Sequence, residues 1–420
     1  MCSFSSLSKR EPFLVFIKSK TFKYSKSLAI IYIVFNFWFV YIYTTMKIPI
    51  VILGGGLAGL TAAIHLSKLG HAVTVIEKST YPKHKVCGEY ISNEVVAYFE
   101  WLGLHHVIAK SHPIHQFRLE NNPKNRAEVQ LPLGGFGISR YLLDWLLYQK
   151  ALEQNCHFIH DSVTSIAFEN EFFTIDLSSG IQIVTPIAIG SFGKRSTIDI
   201  SLERDFIQKK SHWMALKSHY KGNFANHLVG LYPFEGGYCG VSKVEENTLN
   251  VCCIVQTDVF KKYKNIPEFM TSVLYKNKGL KSILNPSKPV FDAPLTISQI
   301  SFEDKKAVEN HVLMIGDAAG LIHPLCGNGM AMAIHSAKIA AELIHKYSKK
   351  ASFSRKNLEI EYQAVWHKTF HKRLQMGRLL SKLLLNSYLT NVSMKIVSRF
   401  PTLFRFIVKQ THGNLIQKPF

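Results

Sequence analysis

The feature that most constrains this chain is a short glycine cluster set between a strand and a helix. Residues 48–53 (IPIVIL) form a continuous apolar run of the kind buried on both faces of a parallel sheet, and they lead directly into Gly54-x-Gly56-x-x-Gly59. A helical stretch over 57–69, stopped by Gly70, precedes a second apolar run at 72–76 (AVTVI), which completes a βαβ unit. In such a unit Gly54 permits the tight turn, Gly56 lets a pyrophosphate approach the backbone, and Gly59 lets the helix pack closely on the strand. The phosphates then lie at the helix N-terminus, where the free N–H groups of Leu57 and Ala58 and the macrodipole favour negative charge. Glu77 stands about 20 positions beyond the glycines, placed to hold ribose hydroxyls, with Lys78 beside it. A carboxylate there argues against a 2′-phosphate, so the motif predicts a dinucleotide of the FAD or NAD type. A glycine-rich turn that binds nothing would leave the acid and the glycine spacing unexplained.

A second motif narrows the choice. Gly316-Asp317-Ala318-Ala319-Gly320 and then Pro324-x-x-Gly327-x-Gly329-Met330 follow a buried-strand pattern at 312–315 (VLMI) and open a helix predicted over 329–347. At these residues the chain resembles the superfamily of p-hydroxybenzoate-hydroxylase-like flavin monooxygenases and the geranylgeranyl reductase family. That resemblance implies that the dinucleotide is FAD, that Asp317 holds the ribityl chain, and that the segment from Pro324 to Gly329 passes beside the isoalloxazine. It also implies that the helix N-terminus at Gly329 and Met330 stabilises negative charge on the reduced flavin.

Three further elements extend the resemblance, which covers residues 48–347. Ser139-Arg140-Tyr141-Leu142-Leu143-Asp144 is similar to the family's Arg-x-x-x-Asp element, which implies an arginine, Arg140, near the FAD; by spacing alone it is an i,i+4 helix pair. Lys85-Val86-Cys87-Gly88-Glu89 is similar to the Cys-Gly element of the geranylgeranyl reductase branch, implying that Cys87 and Gly88 approach the flavin; by itself it reads equally as a buried Cys in a turn. Gly190-Ser191-Phe192-Gly193-Lys194-Arg195-Ser196 resembles the family's Gly-Ala-Asp-Gly-x-x-Ser motif but carries Phe192 where the acid is expected. The contact which that acid would make to a nicotinamide cofactor or to FAD is therefore absent from the pattern.

The expected fold is α/β: a Rossmann-like FAD-binding domain of the GR2 type built from residues 46–204 and 302–350, a mainly antiparallel β-sheet substrate domain inserted at 205–301, and a basic helical C-terminal region at 351–420. Helices are predicted at 92–103 and 142–154, and a hairpin joins 172–177 to 181–186 about Ser178-Ser179-Gly180. Cys252 and Cys253 fall in a predicted strand and point to opposite faces, so they do not form a redox dithiol. Residues 1–45 stand apart. Their apolar run at 28–43 (LAIIYIVFNFWFVYIY) reads either as a membrane anchor, a transmembrane helix, or as the product of a start placed upstream of Met46. No small-residue cleavage site of a secretory signal accompanies it.

A formal net charge of +21 over 420 residues favours a polyanionic partner. No acidic residue follows Glu361, and Met376, Leu379, Leu380, Leu383 and Leu384 fall at helical spacing as an apolar stripe, which points to an anionic membrane surface. The charge comes with no helix-turn-helix, finger or RNA-binding signature, so nucleic acid is not the expected partner. The seven cysteines form neither a Cys-x-x-Cys pair nor a zinc spacing, which predicts a reducing, cytoplasmic setting with no disulfide framework and no metal.

The expected activity is that of an FAD-dependent oxidoreductase peripheral to a membrane, acting on a lipophilic substrate with NAD(P)H or another reductant as electron donor. The Cys-Gly element favours reduction of polyprenyl C=C bonds. A monooxygenase hydroxylating a phenolic or aromatic lipid, and an electron-transfer flavoprotein without a small substrate of its own, are the alternatives. His323, next to Pro324, is a candidate catalytic side chain, with a structural hydrogen-bonding role as the competing reading.

Overall fold

The computed structural model describes residues 49–419, except 124, 351 and 386. The apolar run at 28–43 lies outside the described residues. β1 (Ile50–Leu53) is buried along its whole length and enters α1 (Leu57–Lys68) through the glycine turn. β2 (Val73–Ile76) returns parallel to β1. The chain then makes a long hairpin, β3 (His112–Asn122) and β4 (Asn125–Gly137), followed by α2 (Arg140–Glu153), whose N-cap Ser139 accepts the Leu142 N–H at 3.0 Å. β5 (Ile187–Gly190) pairs parallel to the other side of β1. Four strands follow: β6 (Trp213–Lys221), β7 (His227–Phe234), β8 (Gly237–Lys243) and β9 (Leu249–Gln256). β10 (Val312–Met314) rejoins β5, and α3 (Gly329–Ser348) packs back against α1. Three helices close the chain: α4 (Arg355–Leu385), α5 (Ser387–Arg399) and α6 (Pro401–Thr411).

The nucleotide-type sheet has six strands in the order Val308–Glu309, β10, β5, β1, β2, His157–Ile159. Its central strands are apolar throughout because helices and neighbouring segments cover both faces, so there is no polar alternation to read. The predicted hairpin about residues 178–180 forms from Phe172–Leu177 and Gln182–Thr185, within a separate three-stranded sheet. The helix expected over 92–103 is shorter: a 3-10 turn at Asn93–Val95, capped by Ser92, runs into a helix at Val96–Trp101.

The large sheet has nine strands and is mostly antiparallel, with β7 pairing parallel to β3. It is not confined to residues 205–301. β3 and β4, from the segment expected to belong wholly to the FAD-binding domain, continue it beyond β7. Charged and polar residues at alternate positions of β3, together with Pro113 and Pro132, hide the strands from a pattern search that looks for apolar runs.

The C-terminal helices are built into the molecule. Tyr362 of α4 donates its hydroxyl hydrogen to the Met314 carbonyl at 2.5 Å, and Trp366 and Phe370 of the same face are buried. Met394 of α5 and Phe404 and Val408 of α6 are buried in a cluster with β3 and β4, and the rings of Phe404 and Phe117 lie 5.6 Å apart.

Candidate cofactor site and substrate face

Each glycine of the first motif has a distinct physical reason. Gly54 has φ +106°, and a Cβ there would come within 2.5 Å of the Ser191 carbonyl oxygen. At Gly59 a Cβ would stand 2.1 Å from the Gly54 carbonyl oxygen, so this glycine sets the contact between helix and turn. Gly56 differs from both: its φ is −80°, and a Cβ would meet nothing closer than Arg140 Nη2 and Lys85 Nζ, each at 3.8 Å. Neither backbone strain nor packing requires a glycine at 56. What it keeps clear is the space above the N-terminus of α1, into which two cations converge.

Those cations are held by one carboxylate. Arg140 Nε and Nη2 donate to Asp144 Oδ1 and Oδ2 at 2.7 and 2.8 Å, and Lys85 Nζ lies 3.3 Å from Oδ2. Burial opposes ionisation of Asp144, but the charges of Arg140 and Lys85 overcome it and hold the carboxyl below its ordinary range. Burial likewise acts against the Arg140 guanidinium and is outweighed by Asp144, which raises its pKa. The i,i+4 pair is formed, and the same guanidinium stands beside the glycine turn. Glu77 closes the other side: its Oε2 accepts the Gly55 N–H at 2.9 Å and its Oε1 the Ser79 N–H at 3.0 Å, with Lys78 in between. Tyr81 donates to the Gly55 carbonyl at 2.5 Å and stacks on Tyr148 at 4.3 Å.

The second motif sits opposite, across β10 and α3. Gly316 has φ +60°, and its N–H donates to Ser336 Oγ at 2.8 Å. A Cβ on Gly316 would lie 2.9 Å from the Ala58 side chain, which brings the two motifs into contact. The Asp317 carbonyl accepts from Lys305 Nζ at 2.9 Å; burial depresses that ammonium to about 8. Pro324 begins a 3-10 turn that ends at Gly327 with φ +61°, and Gly329 and Met330 start α3. Asn328 is wholly buried, donating to Glu94 Oε1 at 2.8 Å and accepting from Arg373 Nη1 at 3.2 Å. Arg373 belongs to α4, so the C-terminal region frames this turn. Of the apolar stripe expected at Met376, Leu379, Leu380, Leu383 and Leu384, the first three have described side chains, and Met376 and Leu380 are half-buried. A Cβ on Gly320 would meet Trp366 at 2.8 Å, and one on Gly377 would meet Cys326 and Ile322 at 3.2 and 3.3 Å, while Leu379 is exposed.

His323 is buried in an aromatic cluster. Its Nδ1 pairs with the Tyr238 hydroxyl at 3.1 Å, and its ring lies 4.4 Å from Phe302 and 5.6 Å from Trp213. Burial lowers it to about 3, so it is neutral near pH 7, and its Nε2 is buried with no hydrogen-bond partner among the described residues.

The face of the nine-stranded sheet turned toward these motifs is divided along its strands. In one row Ala215, Ile254 and Tyr238 stand side by side, with Trp213 one step further along β6. Two residues on come Lys217, Cys252 and Gly240, and the next row holds His219, Asn250 and Ser242. The apolar end packs with Ile300, Leu321, Phe302 and Leu325. At the polar end Glu89, fully buried, accepts from Lys217 Nζ and from His219 Nε2, the latter at 2.7 Å. Cys252 lies on this divided face and Cys253 in the cluster behind the sheet, as the strand alternation requires. Burial pushes the Cys252 thiol up to about 12, which leaves it unreactive. The triad of Glu89, Lys217 and His219 was not legible from sequence. Lys217 and His219 share the i,i+2 spacing of one strand face, but nothing local pairs them with a residue more than 120 positions away.

FAD fits these residues. The open space over Gly56, two cations at the N-terminus of α1, and a carboxylate at the end of β2 suit a diphosphate and a ribose in turn. Leu57 and Ala58 would offer their N–H groups, and residues 316–330 would receive the ribityl and ring portions. When bound, the flavin supplies the hydride and electron chemistry, and the protein's part is to place it, to bind the substrate and to exclude water.

Comparison with known proteins agrees. Residues 49–87 match the family of FAD dependent oxidoreductases, and residues 294–385 match the squalene epoxidase family. Mouse (Mus musculus) squalene monooxygenase is 25% identical over 70% of this chain, and the match spans 54% of that enzyme, so the chain covers about half its length. The digeranylgeranylglycerophospholipid reductase of Methanosarcina acetivorans is 21% identical over 80% of this chain and 84% of its own length. Among solved structures the flavin-dependent brominase Bmp2 superposes with a TM-score of 0.72 at 18% identity, covering 87% of this chain and 93% of the brominase. Fold and motifs together define a flavoprotein with the mixed α/β architecture of the flavin-dependent halogenases and monooxygenases. The protein is an FAD-dependent oxidoreductase.

Proposed function

We propose that this oxidoreductase acts on a lipophilic substrate and reduces C=C bonds in a polyprenyl chain, with NAD(P)H or another reductant supplying the electrons. The observation that carries the reading is the divided sheet face. Its apolar end, with Trp213, Ala215, Tyr238 and Ile254, packs against Leu321, Leu325, Ile300 and Phe302, so the wall beside the second motif is apolar, as the surroundings of a hydrocarbon substrate would be. The likeness to a digeranylgeranylglycerophospholipid reductase over most of both chains supports it. A second reading, hydroxylation of a phenolic or aromatic lipid, draws on the match of residues 294–385 to the monooxygenase-type squalene epoxidase family. Phe192, standing where the family pattern has an acid, is half-buried beside the core.

Anaerobic turnover separates the two. With a polyprenyl substrate and a chemical reductant, a reductase forms product without O₂. Product formed only when O₂ is consumed in step with reductant assigns the oxygenase instead. Flavin reduction by a protein donor with no product in either condition would favour an electron-transfer role.

The same reading includes docking on an anionic bilayer through α5 and α6. No helix among the described residues is long and apolar enough to cross a membrane, so the contact proposed is interfacial. Val392 and Ile396 line the outer side of α5, Phe400 stands at the junction, and Leu403 and Phe406 line that of α6; Phe400 is 56% and Phe406 60% exposed. Lys395, Arg399, Arg405 and Lys409 stand among them, and no carboxylate follows Glu361. Each cation near an anionic surface contributes about 1 kcal/mol. Sedimentation with vesicles containing phosphatidylserine should carry the protein down, and both Phe400→Ser/Phe406→Ser and high salt should release it. Equal binding to neutral vesicles, or none to either kind, would refute the docking face.

A further inference from the structure

Residues 85–89 run between the two glycine motifs. At their start Lys85 Nζ lies 3.8 Å from the Cβ position of Gly56; just past their end the Tyr90 ring lies 3.3 Å from that of Gly327. Every main-chain carbonyl in the segment is taken by a donor from elsewhere in the chain. Lys217 Nζ donates to the Lys85 carbonyl at 3.1 Å, Lys194 Nζ to that of Val86 at 3.3 Å, and Asn250 Nδ2 to those of Cys87 and Gly88 at 3.3 and 2.8 Å. The Ile138 N–H donates to the Glu89 carbonyl at 3.2 Å. The Glu89 carboxylate locks the arrangement, accepting from the Arg140 N–H at 2.7 Å as well as from Lys217 and His219.

In a trans peptide the N–H points opposite to the carbonyl of the preceding residue. Lys217 and Asn250 both stand on the sheet, so the carbonyls of Lys85, Cys87 and Gly88 face the sheet. The N–H groups of Val86, Gly88 and Glu89 therefore point away from it. None of these N–H groups has an acceptor among the described residues. A Cβ on Gly88 would meet nothing within 4 Å, so the segment borders open space. Burying a lysine, a carboxylate and a histidine together is a costly way to hold a turn that neutral groups could hold. What it secures is a row of peptide dipoles with their positive ends turned outward, beside the Lys85 ammonium, along the line joining the two motifs.

We propose that Glu89, Lys217, His219 and Asn250 are positioning residues that turn the N–H groups of Val86, Gly88 and Glu89 toward the flavin, where they stabilise negative charge on its reduced ring. This rests on the FAD reading above and adds the device that sets the ring's electron affinity. It also explains the divided sheet face: the polar end grips the segment, and the apolar end packs with Ile300, Leu321, Phe302 and Leu325.

The test uses FAD-loaded full-length protein, with sulfite as the probe because its addition to oxidised flavin places negative charge on the ring. Asn250→Leu removes two carbonyl contacts and strands no charge. Lys217→Met removes the ammonium, and Lys217→Arg restores a cation. Asn250→Leu and Lys217→Met are expected to bind sulfite at least tenfold more weakly, to lower the two-electron potential by about 30 mV per tenfold, and to keep their FAD; Lys217→Arg should recover most of both. Folded Asn250→Leu protein with unchanged sulfite affinity and potential would overturn the proposal. So would its loss of FAD, which would assign the grip to cofactor retention, or a failure of Lys217→Arg to recover. Wild-type protein that takes up no FAD would instead sink the functional reading on which the proposal rests.

Discussion

The two glycine motifs are both turns at the start of a helix, yet they are held in different ways. The first is almost self-sufficient. Gly54 and Gly59 fit each other at 2.1 Å between the Cβ position of one and the carbonyl of the other, and what the turn draws from farther off comes from β2 and the segment just after it, through the Ile76 carbonyl, the Glu77 carboxylate and the Tyr81 hydroxyl, and from Ser191. The second depends on distant groups: Glu94 from the segment after β2, Arg373 and Trp366 from α4, and Ser336 from within α3. A turn fixed by backbone sterics can be read from its residues. One fixed by buried polar contacts depends on the whole molecule being folded around it.

The largest effect should come from filling the one glycine that packing does not require. Gly56→Leu is expected to fold with the melting temperature of the FAD-free wild-type protein and yet to bind no FAD, seen as loss of flavin absorbance after purification. If this variant unfolds, the distinction between Gly56 and its neighbours fails. Next in size is Arg373→Met, which leaves the buried Glu94 without its cation at 3.6 Å. Removing one partner of a buried pair costs about 3–5 kcal/mol, to be read from denaturant midpoints. A cost near zero would mean that the second motif does not lean on α4.

Gly59→Ala should be milder, about 1–3 kcal/mol, because a single methyl forces the helix away from the turn. FAD affinity should fall with it, whereas Arg373→Met should lower stability more than affinity.

The smallest effect is a pair of opposite pH dependences. Burial resists ionisation of Glu89, but the hydrogen bond from His219 and the charge of Lys217 bring its pKa below the ordinary 4.5. Its contribution is present above that value and is lost as pH falls through the folded pKa. At Glu94 burial wins over Arg373 and raises the pKa above 4.5, so the contribution is present below 4.5 and is lost as pH rises through the folded value. Glu89→Gln should therefore flatten the acid-side loss of stability and Glu94→Gln the loss on raising the pH. Parallel slopes in urea titrations across about pH 3 to 7 would show that the two carboxylates do not differ in this way.

Much of the fold was legible where one local rule sufficed. The apolar run into Gly54, the helix it opens, and the return strand ending at Glu77 follow from periodicity and glycine sterics, and the structure places them within a residue or two of expectation. The long helix from Gly329 and the hairpin at residues 172–185 followed the same logic. β3 and β4 did not, because their inward positions are interrupted by prolines and polar residues whose burial depends on β7 and α6.

The sequence by itself determined where a dinucleotide would meet the backbone, since a strand, three glycines and an acid within some thirty residues allow few conformations. Only the tertiary structure decided what surrounds the other end of the cofactor. Arg373 reaching Asn328, Lys217 and His219 closing on Glu89, and Asn250 holding Cys87 and Gly88 join residues 45 to 163 positions apart. No local preference encodes such pairs. They exist because the nine-stranded sheet and α4 bury polar groups that must then find partners, and the nearest partners in space are far away in sequence.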